Sequence, residues 1–328
     1  MSRRVLVAGA LAGLGAGAAA RRCSKRRAVS WADPGPPAAP LTPGTLACRV
    51  SGADGVAVLL LHGMLGSSRF WGADYDRLGS DGRVIVVDLL GFGSSPRPDG
   101  RYDLDDHVDA ILATLDELGI DDAVVIGAHS LGCVIALGLA DRAPERVAGI
   151  VMFGPPIYTS PGQARARMSA LGGLARLLAL DTPLAERVCR WMCQHRALAA
   201  RLAVVLRPDL PEPVARDSVQ HNWVSYAGTM RNVIIGSDSA GLAHRALNAM
   251  SATEPLNAHR PDVTLRIIAG DRDTVPEPAV LDELATDPAV RVAYWHGRHD
   301  LPLCEPDRCI RTIAAMRATA SPVPHGYV

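Results

Sequence analysis

Seven short apolar runs lie at 46–50, 56–61, 84–88, 123–127, 147–153, 263–269 and 290–295, separated by stretches with other periodicities. The run at 56–61 carries no polar alternation, as expected of a strand covered on both faces. Strand candidates alternating with helical patterns predict an α/β architecture: a mostly parallel, doubly wound sheet with helices on both sides. Before the fourth run, Val108, Ile111, Leu112, Leu115 and Leu118 share one helical face. Asp105, Asp106 and Asp109 gather near its start, where the helix dipole favours negative charge. Further helices are expected around Glu283 and over 310–316.

Between about Pro155 and Ala258 the strand pattern stops. Met168, Leu171, Leu174, Leu177 and Leu178 recur at helical spacing, as do Leu198, Leu202, Val205 and Leu206. Region 155–258 is therefore expected to be a helical insertion between two core strands. Most of those leucines should pack it onto the core. No internal repeat is visible.

The fourth run turns at once into a helix-forming stretch through Gly127, Ala128, His129, Ser130, Leu131 and Gly132. A serine between small residues at a strand-to-helix turn has the layout of a nucleophile elbow, which lifts the hydroxyl to the top of a sheet. The first small position is Ala128 rather than glycine; a methyl group is tolerable there and anything larger is not. The plainer reading of Ser130 is a helix N-cap. A nucleophilic serine also needs a base to take its proton and an acid to orient that base. Two later runs end in loops that supply such residues: Asp271 and Asp273 after 263–269, His296 and His299 after 290–295.

In this order, serine then acid then histidine, the chain resembles the α/β-hydrolase superfamily, in its serine esterase or lipase-like branch. The resemblance runs over residues 56 to 302. It implies that the G-x-x-D turn at 270–273 carries the acid, Asp273, and the G-x-H turn at 297–299 the base, His299. Asp271, directly after its glycine, better suits a turn. His296 lies close to the strand end and is expected to be structural. The resemblance also places an oxyanion loop at 62–68, pairing the backbone N–H of Met64 with that of Leu131, with His62 as a brace. The segment from Asp88 to Ser95 resembles the D-x-x-G-x-G-x-S turn of the same family. It is expected to wall the active-site mouth, since no Walker lysine follows. The insertion at 155–258 becomes a cap over the serine, with Trp191, Met192, Trp223 and Tyr226 as candidate pocket-lining residues. The core is then 44–154 with 259–320.

Composition narrows the chemistry. The chain has 328 residues, is 48% hydrophobic and carries 34 basic and 34 acidic residues, enough for one large core with an insertion and no basic patch for nucleic acid. Aromatics make up only 4%, so aliphatic side chains must line most of any pocket, which favours an apolar acyl substrate. The seven cysteines show no zinc-ligand spacing, and no metal or cofactor is expected. Cys189 and Cys193 would share a helical face, and Cys304 and Cys309 could meet; free thiols are the default.

The N-terminus admits two readings. Residues 5–20 are apolar, preceded by Arg3 and Arg4 and followed by Arg21, Arg22, Lys25, Arg26 and Arg27. Segment 1–27 suits a signal peptide or membrane anchor, placing the protein at a membrane or cell envelope. Against this, 5–20 is mostly Ala and Gly and as a helix spans about 24 Å, short of a bilayer core of roughly 30 Å. The alternative is a cytoplasmic extension. A proline-rich linker is expected over 28–43.

The functional expectation is a serine hydrolase of carboxylic esters or related acyl compounds. The same triad would also serve a carbon–carbon bond hydrolase, a cofactor-free haloperoxidase or an acyltransferase. A binding protein that kept the fold without turnover is the reading from another class.

Overall fold

The computed structural model describes residues 31–170, 176 and 182–320. Its centre is a seven-stranded sheet in the order β1-β3-β2-β4-β5-β6-β7. The strands are β1 (Cys48–Ser51), β2 (Val58–Leu61), β3 (Val84–Val87), β4 (Val124–His129), β5 (Val147–Phe153), β6 (Leu265–Gly270) and β7 (Val290–Trp295). Each of the seven expected runs is represented, with ends shifted by a residue or two. Only β1 runs antiparallel to its neighbour, pairing Cys48 with Val87 and Ser51 with Val84. Every residue of β2, β3, β4 and β5 is buried, so the apolar runs without alternation do mark strands covered on both faces.

Helices flank the sheet. The described α-helices are α1 (Leu104–Glu117), α2 (Leu131–Arg142), α3 (Pro161–Ser169), α4 (Pro183–Gln194), α5 (Arg196–Leu206) and α6 (Glu212–Asp217). They continue with α7 (Trp223–Thr229), α8 (Ser239–Ala252), α9 (Pro278–Leu284), α10 (Leu301–Cys304) and α11 (Pro306–Ala320). Helix α1 starts in a capping box, Asp103 accepting from Asp106 N–H and Asp106 from Asp103 N–H. It buries Val108, Ile111 and Leu115 as its periodicity predicts.

The strand order reverses beside β2, where β3 lies on one side and β4 on the other. Leu61 pairs with Ala128 at the carboxyl ends of β2 and β4. Loops leaving two adjacent strands in opposite directions open a crevice, the place where open α/β sheets bind ligands. The segment after β2 and the turn into α2 meet there.

Two expectations need correction. The linker expected at 28–43 is docked where it is described: Ala38 bridges Cys48, Ala73 N–H bonds Ala32 O at 2.9 Å, and Trp31 packs on the second core cluster. Ordered structure thus precedes the expected start at residue 44, fastened by the Ala38 bridge, the Ala32 carbonyl and the partly buried Trp31 ring. Second, helix α5 turns its leucines outward: Leu198, Val205 and Leu206 are exposed while Ala199 and Ala200 are buried. Small residues let α5 approach its neighbours closely, and the bulky stripe is left on the other side. Cys304 and Cys309 are separate thiols, one exposed and one buried, and Cys189 and Cys193 are likewise unbridged. Met168 is buried as expected; Leu171, Leu174, Leu177, Leu178 and segment 1–27 lie outside the described residues.

Candidate active site

Ser130 stands between the last residue of β4 and the first of α2, with φ 51° and ψ −117°. Positive φ is costly for a residue with a Cβ, about 1–3 kcal/mol, and persists only where surroundings enforce it. They do so here. The Ser130 N–H donates to Phe153 O at 3.0 Å, tying the turn to the end of β5. A Cβ at Gly132 would fall 2.6 Å from Leu61 O, so α2 can begin against β2 only with glycine there. Ser130 makes no capping bond to α2, which removes the N-cap reading.

The loops after β6 and β7 bring the other two residues together. A Cβ at Gly270 would meet Arg298 O and Gly297 O, both at 2.7 Å, so glycine at that turn lets the loops close on each other. His299 Nδ1 then lies 2.8 Å from Asp273 Oδ2. Asp273 is held by its other oxygen, which accepts Val275 N–H at 2.9 Å. Burial disfavours charge on His299, but the hydrogen bond and the negative charge of Asp273 outweigh it, so its pKa lies above the ordinary histidine value. The pair abuts the backbone that holds Ser130: a Cβ at Gly154, directly after Phe153, would lie 2.9 Å from both Asp273 Oδ2 and His299 Nδ1.

His129, the residue before the serine, completes the link. Its Nε2–H donates to the backbone carbonyl of His299 at 3.0 Å, and its ring stacks on Phe70 with centroids 4.5 Å apart. Burial, reinforced by the neighbouring His299, keeps His129 neutral, well below the usual histidine pKa. One side chain therefore connects the Ser130 turn to the His299 loop. The sequence marks His129 only as a member of the 127–132 turn, and Gly154 not at all. The signal for Gly154 was a glycine ending a buried strand.

The loop after β2 is braced as expected. His62 Nδ1–H donates to Gly63 O at 2.7 Å while Nε2 accepts Leu89 N–H at 2.9 Å. Both nitrogens are spent, and burial lowers the pKa, so His62 is a neutral strut. Gly63 lies against the serine, since a Cβ there would sit 3.0 Å from Ser130 Cβ. Met64 follows directly, and Leu65 has φ 59°. Leu131 is the first residue of α2, so its N–H has no acceptor within the helix. Asp88 ties this wall together, accepting Ser68 N–H and Ser94 N–H, each at 2.6 Å.

A model of the alpha/beta hydrolase fold matches residues 56–184. The chain is 30% identical over 263 residues to a probable lysophospholipase, BODYGUARD 4, of Arabidopsis thaliana, covering 74% of this chain and 59% of that protein. It is 33% identical over 190 residues to a haloalkane dehalogenase of Mesorhizobium japonicum, covering 55% and 61%. The matched stretch spans 59% and 56% of the two lysophospholipase relatives BODYGUARD 4 and BODYGUARD 5. Among solved structures, E-2-(acetamidomethylene)succinate hydrolase superposes with a TM-score of 0.61 at 19% identity, covering 83% of this chain and 94% of that one. The chain belongs to the α/β-hydrolase superfamily.

The pocket candidates of this α/β hydrolase fare unevenly. Met192 and Tyr226 are buried among the helices between β5 and β6. Trp223 packs on Tyr226 and borders a groove of about 360 Å³ shared with Gly100, Arg101 and Asn232, which contains none of the three candidate catalytic residues. Trp191 is half-buried, packing against the core cluster while stacking on the exposed His195 with centroids 5.0 Å apart. On α4 the buried positions are Ala185, Cys189 and Met192. No group of three or more His, Cys, Asp or Glu suited to a metal occurs among the described residues.

Proposed function

We propose that this α/β hydrolase is a serine hydrolase that cleaves carboxylic esters or related acyl compounds through an acyl-enzyme. The observation that carries the reading is the His299–Asp273 pair lying against the backbone that forces Ser130 into its strained turn. Ser130 Oγ attacks the substrate carbonyl and its proton passes to His299 Nε2. Asp273 holds Nδ1–H, fixes the tautomer and stabilises the imidazolium. The N–H groups of Met64 and Leu131 receive the developing oxyanion; one such donor is worth about 3–4 kcal/mol of barrier. His299 then protonates the leaving alcohol, and water repeats the sequence on the acyl-enzyme.

The helices between β5 and β6 serve as the cap over this site, and Met192 and Tyr226 remain its candidate lining. Lysophospholipase names among the relatives and the aliphatic composition support an apolar acyl chain as substrate. Serine at 130 disfavours dehalogenation, which needs a carboxylate to form an alkyl ester. The test pairs a fluorophosphonate probe with chromogenic esters of graded acyl length on wild type and Ser130→Ala. Labelling and hydrolysis should both vanish in the variant. Hydrolysis undiminished in Ser130→Ala would sink the reading, and products captured by added alcohols would redirect it to acyl transfer.

A further inference from the structure

Helices α4 and α5 repeat one pattern. Leu184, Arg187, Val188 and Trp191 sit at i, i+3, i+4 and i+7 of one stretch; Leu198, Arg201, Leu202 and Val205 sit at the same offsets of the next. In each, three apolar positions flank an arginine. Leu184 is 56% exposed, Leu198 48% and Val205 72%. Val188 and Trp191 are half-buried and pack against the core cluster at the inner edge of the stripe, Leu202 is half-buried, and Arg187 and Arg201 are exposed. A water-facing helix normally turns such a stripe inward, and bulky apolar side chains grouped in solvent mark a contact surface.

Charge selects the occupant. The chain has no net charge, yet from Pro183 to Arg207 there are five arginines and one glutamate. That glutamate, Glu186, pairs with Arg190 at 2.7 Å. Arg196 is spent on Val219 O and His221 O, and Arg207 on Asp209. Among the described residues, Arg187 and Arg201 have no carboxylate partner, and these are the two arginines set within the apolar stripes. Leucine and valine beside a cation, with an indole at the half-buried edge, match the boundary between anionic headgroups and acyl chains.

We propose that α4 and α5 form a docking surface for an anionic phospholipid bilayer, immersing Leu184, Leu198 and Val205 while Arg187 and Arg201 meet the headgroups. The surface lies on the helical segment between β5 and β6 and binds independently of turnover at Ser130, so it stands or falls separately from ester hydrolysis.

The full-length protein is floated with vesicles of phosphatidylcholine alone and of phosphatidylcholine mixed with phosphatidylglycerol. Wild type should rise with the mixed vesicles, less so with the neutral ones, and progressively less as salt screens the arginines. The double variant Leu198→Asp/Val205→Asp should bind the mixed vesicles at least about tenfold more weakly, while circular dichroism and hydrolysis of a soluble ester stay at wild-type level. Leu198→Ser/Val205→Ser, a milder change, should weaken binding in the same direction and guards against misfolding. Arg187→Gln/Arg201→Gln should erase the preference for mixed vesicles. Absence of flotation, equal binding to both vesicles, or binding that neither double variant weakens would overturn the proposal; the last would place the contact elsewhere, including at residues 5–20. A dimer in sedimentation that Leu198→Asp/Val205→Asp dissociates would reassign the face to a second copy.

Discussion

Two histidine–aspartate pairs stand within a few residues of each other, on the same two loops and with nearly the same geometry. His299 Nδ1 lies 2.8 Å from Asp273 Oδ2, and His296 Nδ1 lies 2.9 Å from Asp271 Oδ2. Distance does not separate them, but surroundings do. The side chains of His299 and Asp273 are 27% and 1% exposed, those of His296 and Asp271 59% and 44%. Asp271 also accepts the Gly297 N–H, and Arg272 bonds the far nitrogen of His296, so the outer pair is occupied in holding the two loops together. The inner pair faces Gly154 and the Ser130 turn, with only Nδ1 committed. The same contact thus serves as a loop staple in water and as a candidate proton relay where water is partly excluded, because a charge interaction strengthens as the dielectric around it falls.

The widest separation between the pairs should come from removing the histidines. His299→Ala is expected to lower kcat for a soluble ester by about 10⁶-fold. His296→Ala should leave kcat within about threefold, as its loss touches only a solvated staple. Steady-state rates of the two variants measured together decide this; comparable losses would break the distinction. The acids follow. Asp273→Asn is expected to cost about 10⁴-fold in kcat by permitting the wrong tautomer of His299. Asp271→Asn should cost a few-fold at most, and the same assay reads both.

A smaller effect is expected at His129, which serves only the inner pair. His129→Phe keeps the stacking on Phe70 but leaves the His299 carbonyl without its donor, an unsatisfied buried group worth about 1–3 kcal/mol. A tenfold to hundredfold fall in kcat with KM nearly constant is expected, roughly as that energy converts. His129→Gln, which can still donate, should recover most of it; no recovery would make the role one of packing alone.

The smallest and most diagnostic difference is in pH. The base must be neutral to accept a proton, and Asp273 raises the His299 pKa. Log kcat/KM should therefore rise with pH through a midpoint above about 6.5 and fall away below it. Asp271→Asn should leave that midpoint in place, whereas Asp273→Asn should move the residual activity's midpoint down. A shift on Asp271→Asn would show that the two pairs titrate together.

How far each feature could be read from residues alone varies with how local its cause is. The buried strands were visible because runs such as 84–87 are apolar at every position, and α1 because Val108, Ile111 and Leu115 repeat with its own period. The turn at Ser130 was visible because its small neighbours are demanded by clashes within a few ångströms, as Gly132 against Leu61 O shows. The outward turn of α5 was not: periodicity tells which residues share a face, while Ala199 and Ala200 decided which face packs. Nor could sequence show that Trp31 would dock the proline-rich stretch, since its partners in the core are set by the assembled fold.

The order of residues along the chain determined the alternation of strands and helices, the sharp turn that carries Ser130, and the candidacy of Asp273 and His299. Periodicity, turn sterics and motif spacing are properties of neighbouring residues. Tertiary structure alone decided that Asp271 and His296 pair with each other at the surface, that His129 bridges the serine turn to the His299 loop, and that Gly154 makes room for the inner pair. Each of these joins residues more than twenty positions apart, and only the packing of β4, β5, β6 and β7 side by side brings them within bonding distance.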